Sequence, residues 1–176
     1  VANQFIRKGG VTVKQILVEV DKCLGCKSCE IACVVAHSET GDLIGAFLQN
    51  PQPVRRVFVE AGEGFNLPLQ CRQCEEPKCV QACMSGAMRK EVSGLVSNDP
   101  DKCVGCWMCV MVCPFGAITR DVTNKLAAKC DRCAGLDQPA CVRACPTEAI
   151  QFLDVDDFCK SGRKKYLTNF RCEMEV

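Results

Sequence analysis

The sequence predicts an α+β fold in which short strands and one- or two-turn helices alternate with cysteine-rich loops. Three observations predict it. Of eighteen cysteines in 176 residues, sixteen fall into four runs: Cys23-Cys26-Cys29-Cys33, Cys71-Cys74-Cys79-Cys83, Cys103-Cys106-Cys109-Cys113 and Cys130-Cys133-Cys141-Cys145. The end of each run repeats, as Cys79-VQA-Cys83-MSGAM, Cys109-VMV-Cys113-PFGAI and Cys141-VRA-Cys145-PTEAI, with a divergent copy at Cys29-EIA-Cys33-VVAHS. One supersecondary unit is therefore reused. Short β-type stretches flank the runs and are punctuated by turn residues.

In chain order, Val13 to Val20 (VKQILVEV) reads as a strand leading into Asp21-Lys22-Cys23. Cys29 and Cys33 are four apart, so on a helical turn they share one face with β-carbons about 5–6 Å apart. Because Val34 follows rather than proline, this helix is expected to continue through His37. Residues 34–70 carry Gly41, Gly45, Pro51, Pro53, Gly62, Gly64 and Pro68, which predicts a long surface excursion with one strand at Val54 to Glu60. A loop of that length serves either to dock a partner or to cover the metal sites.

The second run brings the same four-residue spacing at Cys79 and Cys83, then a hairpin over Ala87 to Val96 turning at Ser93-Gly94. Gly94 to Asn98 leads as a strand into Asp101-Lys102-Cys103. Pro114 and Pro146 follow the last cysteines of the third and fourth runs and end their helical turns, having a fixed φ and no N–H. Further hairpin strands are expected at Ala117 to Ala127, turning near Thr123-Asn124, and at Ala149 to Leu153. The tail from Asp154 is polar and mixed in charge, an arm suited to another surface.

The first and third runs have the C-x2-C-x2-C-x3-C spacing of an iron–sulfur site, and the other two lengthen only the gap before the third cysteine. Four runs imply four [4Fe-4S] clusters. A disulfide framework does not repeat one ligand spacing four times, and tetrahedral zinc sites draw on separated cysteine pairs rather than four within eleven residues. In two-cluster ferredoxins the first three cysteines of a run hold one cluster and the fourth reaches the other. Paired thiolates on one turn then keep clusters adjacent, and an electron can hop between them. Gly25 and Gly105 let the backbone approach inorganic sulfur.

The apolar fraction of 48% falls to about 38% without the cysteines, a modest core. The clusters must help hold the fold, and the apoprotein is expected to be largely unstructured. The formal charge of +1 counts cysteines as neutral; at about −2 per oxidised cluster with its thiolates, the holoprotein approaches about −7. With Arg163-Lys164-Lys165 as the only basic run, nucleic-acid binding is excluded. No window is apolar for long enough to span a bilayer. Val1 to Gly10 (VANQFIRKGG) does not read as a leader, which predicts a cytoplasmic protein. No phosphate loop, dinucleotide fingerprint or nucleophile–base pair is present, so the expected role is electron transfer without bond chemistry. The alternatives are a free polyferredoxin and an enzyme with a substrate-binding cluster.

These runs resemble the four-cluster ferredoxin-like electron-transfer subunits of multi-component redox enzymes. Those include the beta subunits of the dimethyl sulfoxide reductase and formate dehydrogenase type, and the small iron–sulfur subunits of hydrogenase, carbon monoxide dehydrogenase and tungsten aldehyde oxidoreductase systems. The resemblance spans Asp21 to Leu153 and implies two nested dicluster ferredoxin-like modules. An outer one, 11–36 with 126–153, would receive an inserted one, 69–125, with 37–68 as connecting excursion and 154–176 as C-terminal arm. The implied ligand sets are Cys23, Cys26, Cys29 and Cys145; Cys130, Cys133, Cys141 and Cys33; Cys71, Cys74, Cys79 and Cys113; and Cys103, Cys106, Cys109 and Cys83. Some relatives place tryptophan at a ligand position of the third run, whereas here Trp107 stands between intact Cys106 and Cys109.

The resemblance further implies a hetero-oligomer with a large catalytic redox subunit. That subunit would be a tungsten or molybdenum pterin enzyme, such as an aldehyde or benzoyl-CoA reductase type, or carbon monoxide dehydrogenase. A flavin or ferredoxin partner would serve as the external donor or acceptor. Trp107 and Phe115 are expected to pack over clusters. His37 is expected to be an ordinary satisfied side chain rather than a donor to a cluster. Cys159 and Cys172 read as free thiols or interface residues, and Lys160 with Arg163 to Lys165 as a solvated basic face.

Overall fold

The computed structural model describes residues 14–173. Val13 at the head of the first strand, the start of the outer module at 11, the last three residues of the arm and the side chain of Cys172 lie outside the described residues. The order is β1 (Lys14–Val18), a 3-10 turn at Val20–Lys22, α1 (Ser28–Ala36), α2 (Leu43–Leu48), β2 (Val57–Ala61), β3 (Asn66–Gln70), α3 (Lys78–Gln81), β4 (Met88–Lys90) and β5 (Val96–Asn98). It continues with α4 (Met108–Val112), β6 (Ile118–Asp121), β7 (Leu126–Lys129), α5 (Ala140–Arg143), β8 (Ile150–Asp154) and α6 (Val155–Glu173).

The strands pair antiparallel in four two-stranded ladders, β1 with β8, β2 with β3, β4 with β5 and β6 with β7. Such ribbons are marginal alone. Each lays an apolar face on cysteine loops instead. Ile16, Val57 and Ile150 close on Cys29, Cys33, Cys130 and Cys141, while Met88, Ile118 and Ala127 close on Cys109. α1 packs on α5, and α3 packs on α4. Thiols thus form a large share of both cores.

Several elements depart from the sequence reading. The hairpins β4–β5 and β6–β7 stand where turn residues predict them. The stretch Ala149 to Leu153 reads as a local hairpin strand, whereas β8 pairs with β1, Val18 opposite Ile150 and Lys14 opposite Asp154. β8 thus closes a ladder between segments far apart in the chain, a pairing no local pattern signals. The excursion holds a helix and a hairpin in place of the single expected strand. Asp42 caps α2 by accepting the Gly45 N–H at 2.8 Å. Pro68 sits in β3 opposite Val59, which a two-stranded ribbon tolerates because one edge needs no donor. The hairpin is docked on α1 by buried Glu30, which accepts the Val59 N–H at 2.6 Å and Arg55 Nη1 at 3.1 Å. α1 stops at Ala36 with His37 as its C-cap. The arm is the 19-residue α6, with Asp156 and Asp157 in its first turn complementing the helix dipole.

Gly105 carries a positive φ of 65°, and an added Cβ would stand 2.5 Å from the Lys125 carbonyl oxygen. Gly116 also has a positive φ but nothing within 4 Å. Gly105→Ala is therefore expected to destabilise the holoprotein by more than the roughly 1–3 kcal/mol of left-handed strain alone, and Gly116→Ala by no more than that strain. Denaturant titration of the two variants side by side checks the order.

Candidate iron–sulfur sites

The loops that open the first and third runs share one backbone design. Gly25 and Lys27 have positive φ in the first, and Gly105 and Trp107 in the third. Alternation of left- and right-handed residues turns successive N–H groups to one side and makes a concavity for an anion. Gln73, Arg132 and Cys133 carry positive φ in the second and fourth runs. Non-glycine residues adopt this conformation only when their surroundings hold them there. Each run then passes its third cysteine to a helix: Cys29 and Cys33 lie in α1, Cys79 in α3, Cys109 in α4 and Cys141 in α5.

The folded chain brings the cysteines together across runs. A cavity of about 250 Å³ is lined by Cys71, Cys74, Cys79 and Cys113, with Phe115 and Ile118 at its wall. A smaller one is lined by Cys83, Cys103, Cys106 and Cys109, with Met88 and Trp107. In both, the fourth cysteine of one run joins three from the other. Elsewhere in the fold, Cys29, Cys33, Cys130 and Cys141 share one core with Cys145 at its edge. Cys141 lies within electrostatic reach of Cys130, Cys33, Cys133 and Cys29, and Cys26 within reach of Cys145 and Cys29.

Burial pushes the Cys130 thiol up to about 12, against the Arg132 N–H that it accepts, and pushes Cys29 and Cys109 up to about 11. Cys141 is driven higher still, by burial and then by the neighbouring sulfurs of Cys130, Cys33 and Cys133. These groups are neutral until metal takes the place of the proton, so loading releases protons. At Cys83 and Cys145 burial works in the same direction but is outweighed. The backbone N–H of Met88 and the Ser85 hydroxyl lower Cys83, and the Ile150 N–H and Thr147 hydroxyl lower Cys145. Backbone N–H groups also reach Cys33 Sγ from Arg56 at 3.3 Å, Cys83 Sγ from Met88 at 3.4 Å and Cys130 Sγ from Arg132 at 3.4 Å. Soft thiolates in fours, with N–H donors aimed at sulfur, fit an anionic iron–sulfur cluster.

His37 is satisfied, but it also meets the sulfur of a proposed ligand, whereas the sequence reads it as an ordinary side chain and not a donor toward a cluster. Its Nδ1 donates to the Cys33 carbonyl oxygen at 2.7 Å and stands 3.7 Å from Cys33 Sγ, while Nε2 meets Asp131 Oδ1 at 3.2 Å. Burial disfavours its charge, yet Asp131 and then Cys33 raise its pKa to about 9. His37, Asp131 and Cys133 offer ligand atoms within 4.8 Å of one another, but the Arg56 guanidinium already neutralises that carboxylate. Trp107 is half-buried and Phe115 is 44% exposed, so Phe115 covers its cavity only in part. Cys159 is an exposed free thiol on α6, and no cysteine among the described residues forms a disulfide.

Two residues that sit among these sites carry no mark in the sequence. Gln73 and Lys129 are buried, at 5% and 4% exposure. A polar residue beside a cysteine run reads as solvated loop, so nothing in the pattern singles out either. Among the described residues no helix is long and apolar enough to cross a membrane.

Residues 63–155 match the 4Fe-4S dicluster domain family. The iron-sulfur protein of Rhodospirillum rubrum is 44% identical over 159 residues, covering 81% of this chain and 83% of that protein. The B subunit of the anaerobic dimethyl sulfoxide reductase of Escherichia coli K12 is 35% identical over 155 residues, 81% of this chain and 74% of that one. The electron transport protein HydN of the same organism is 36% identical over 91 residues, 52% of this chain and 50% of its own length. The grouped thiols and this match, which extends over more than half of the chain, lead to one conclusion: the protein belongs to the 4Fe-4S dicluster domain family and binds [4Fe-4S] clusters.

Proposed function

We infer that this chain is an electron-transfer subunit, carrying electrons through four [4Fe-4S] clusters between a catalytic oxidoreductase subunit and an external redox partner. The observation that carries the reading is the joining of cysteines across runs, Cys113 with Cys71, Cys74 and Cys79, and Cys83 with Cys103, Cys106 and Cys109. The outer sets are Cys23, Cys26, Cys29 with Cys145, and Cys130, Cys133, Cys141 with Cys33. Their support is the shared core and the electrostatic reach of Cys26 to Cys145 and of Cys141 to Cys33. Nested modules, 11–36 with 126–153 around 69–125, are supported by the β1–β8 pairing and the packing of α1 on α5 and of α3 on α4.

The clusters, when bound, would supply one-electron carriers. The chain's part is to hold each with four thiolates, to point N–H donors at sulfur and to exclude water with apolar ribbons. The relation to the B chain of a dimethyl sulfoxide reductase supports a catalytic oxidoreductase subunit as partner; we read that subunit as a pterin-type molybdenum or tungsten enzyme, with a flavoprotein or ferredoxin at the other end. Anaerobic purification from the native host is expected to give about 16 iron atoms per chain, four per cluster, and to retain a large catalytic subunit in stoichiometric amount. About eight iron atoms, or a monomer with no retained subunit, would overturn the reading.

A further inference from the structure

Lys129 ends β7 and is 4% exposed. Its ammonium donates to the backbone carbonyls of Val96 in β5 and of Cys130, the latter at 3.2 Å. Gln73 makes a parallel bridge. Its Nε2 donates to the same Cys130 carbonyl at 2.9 Å, and its Oε1 accepts the Val96 N–H at 2.8 Å. The carbonyls satisfy Lys129 as a donor but do not neutralise it. Among the described residues no carboxylate forms an ion pair with it, and neighbouring Asp131 is engaged by His37 and Arg56.

A buried cation without a counter-charge is strongly unfavourable, so its counter-charge has to be sought among the groups around it. Bound clusters would supply it: Val96, whose carbonyl accepts one of its bonds, lines the cavity of Cys79, and Cys130, whose carbonyl accepts the other, is itself one of the proposed ligands. These two cysteines belong to different ligand sets, one outer and one inner. Cys71 of the inner set also lies within electrostatic reach of Cys130, so the ammonium stands where the two sets approach each other.

Resting on the ligand sets proposed above, we propose that Lys129 is a positioning residue for electron transfer. It is a fixed cation shared between the cluster of Cys71, Cys74, Cys79 and Cys113 and the cluster of Cys33, Cys130, Cys133 and Cys141, and it favours the reduced state of both. One-electron reduction adds one negative charge and takes up no proton here; the electron gained on one side is the electron lost on the other. A cation between the two stabilises that charge on either side, so it raises both potentials together and leaves the balance between them unchanged. The two carbonyls hold the ammonium in place, so little has to reorganise when the charge moves.

The test is an EPR-monitored redox titration of the anaerobic holoprotein, with iron content measured first. Lys129→Met with full iron is expected to lower two of the four midpoint potentials by a tenfold change in reduction equilibrium or more, about 59 mV for a one-electron couple. The other two should stay in place. Lys129→Arg keeps the charge and should restore the wild-type values. Unchanged midpoints in fully loaded Lys129→Met, or equal shifts in the methionine and arginine variants, would overturn the proposal. If the methionine variant does not load, loading of the arginine variant supports the charge requirement, and failure of both overturns it. Wild-type protein short of four clusters would instead sink the relay reading, and iron analysis detects that before any potential is measured.

Discussion

Cys33→Ala is expected to abolish the same cluster signal as Cys141→Ala, and a different one from that lost in Cys26→Ala. Cys33 lies four residues after Cys29 on α1, and sequence proximity alone would assign both to one cluster. The crossed sets proposed above assign them otherwise. Cys33 stands within electrostatic reach of Cys130, Cys133 and Cys141, with Cys29 a further neighbour of Cys141, and Cys26 stands within reach of Cys145. Each alanine variant removes one of four thiolates, so each should lose one cluster's share of iron, about four atoms of about sixteen. Iron analysis and EPR spectra of the three variants, compared in pairs, check the assignment. If Cys33→Ala and Cys26→Ala lose the same signal, each run holds its own cluster and the crossed sets are wrong.

Stripping iron from the anaerobic protein with a strong chelator is expected to unfold most of it. The strands are three to five residues long and pair only two at a time, below what folds independently in water. Both cores are built around thiols. Thiols that no longer ligate metal leave the apolar ribbons facing loops with no common centre. For structural zinc in small domains, metal binding supplies about 10–16 kcal/mol, as large as the whole stability of an ordinary domain, about 5–15 kcal/mol. Far-UV circular dichroism and amide NMR dispersion before and after chelation measure the loss, and reconstitution with iron and sulfide should restore both. A chelated protein that keeps native dispersion would show that the ribbons hold without metal.

The parts of the fold legible in the sequence are those whose cause is local. Turn residues at Ser93-Gly94 and Thr123-Asn124 mark the β4–β5 and β6–β7 hairpins. The cysteine spacing marks a helical turn at the third cysteine of each run, but only in α1 does the pair four apart share the helix; Cys83, Cys113 and Cys145 lie beyond the ends of α3, α4 and α5. The excursion is less legible. α2 rests on one capping contact from Asp42, and the proline in β3 argues against a strand in any reading that lacks its partner. The buried pair Gln73 and Lys129 leaves no mark at all, since burial of a polar side chain depends on segments distant in the chain.

By itself the sequence determined the metal chemistry. Thiolate number and spacing are covalent facts, and four soft ligands within a short loop select iron–sulfur chemistry before any packing is known. Only the tertiary structure decided which thiols approach one another, that the first and last described strands pair, and that an ammonium is buried where two ligand sets meet. Those outcomes depend on through-space distance and on exclusion of water, and both arise only when remote segments close over one another.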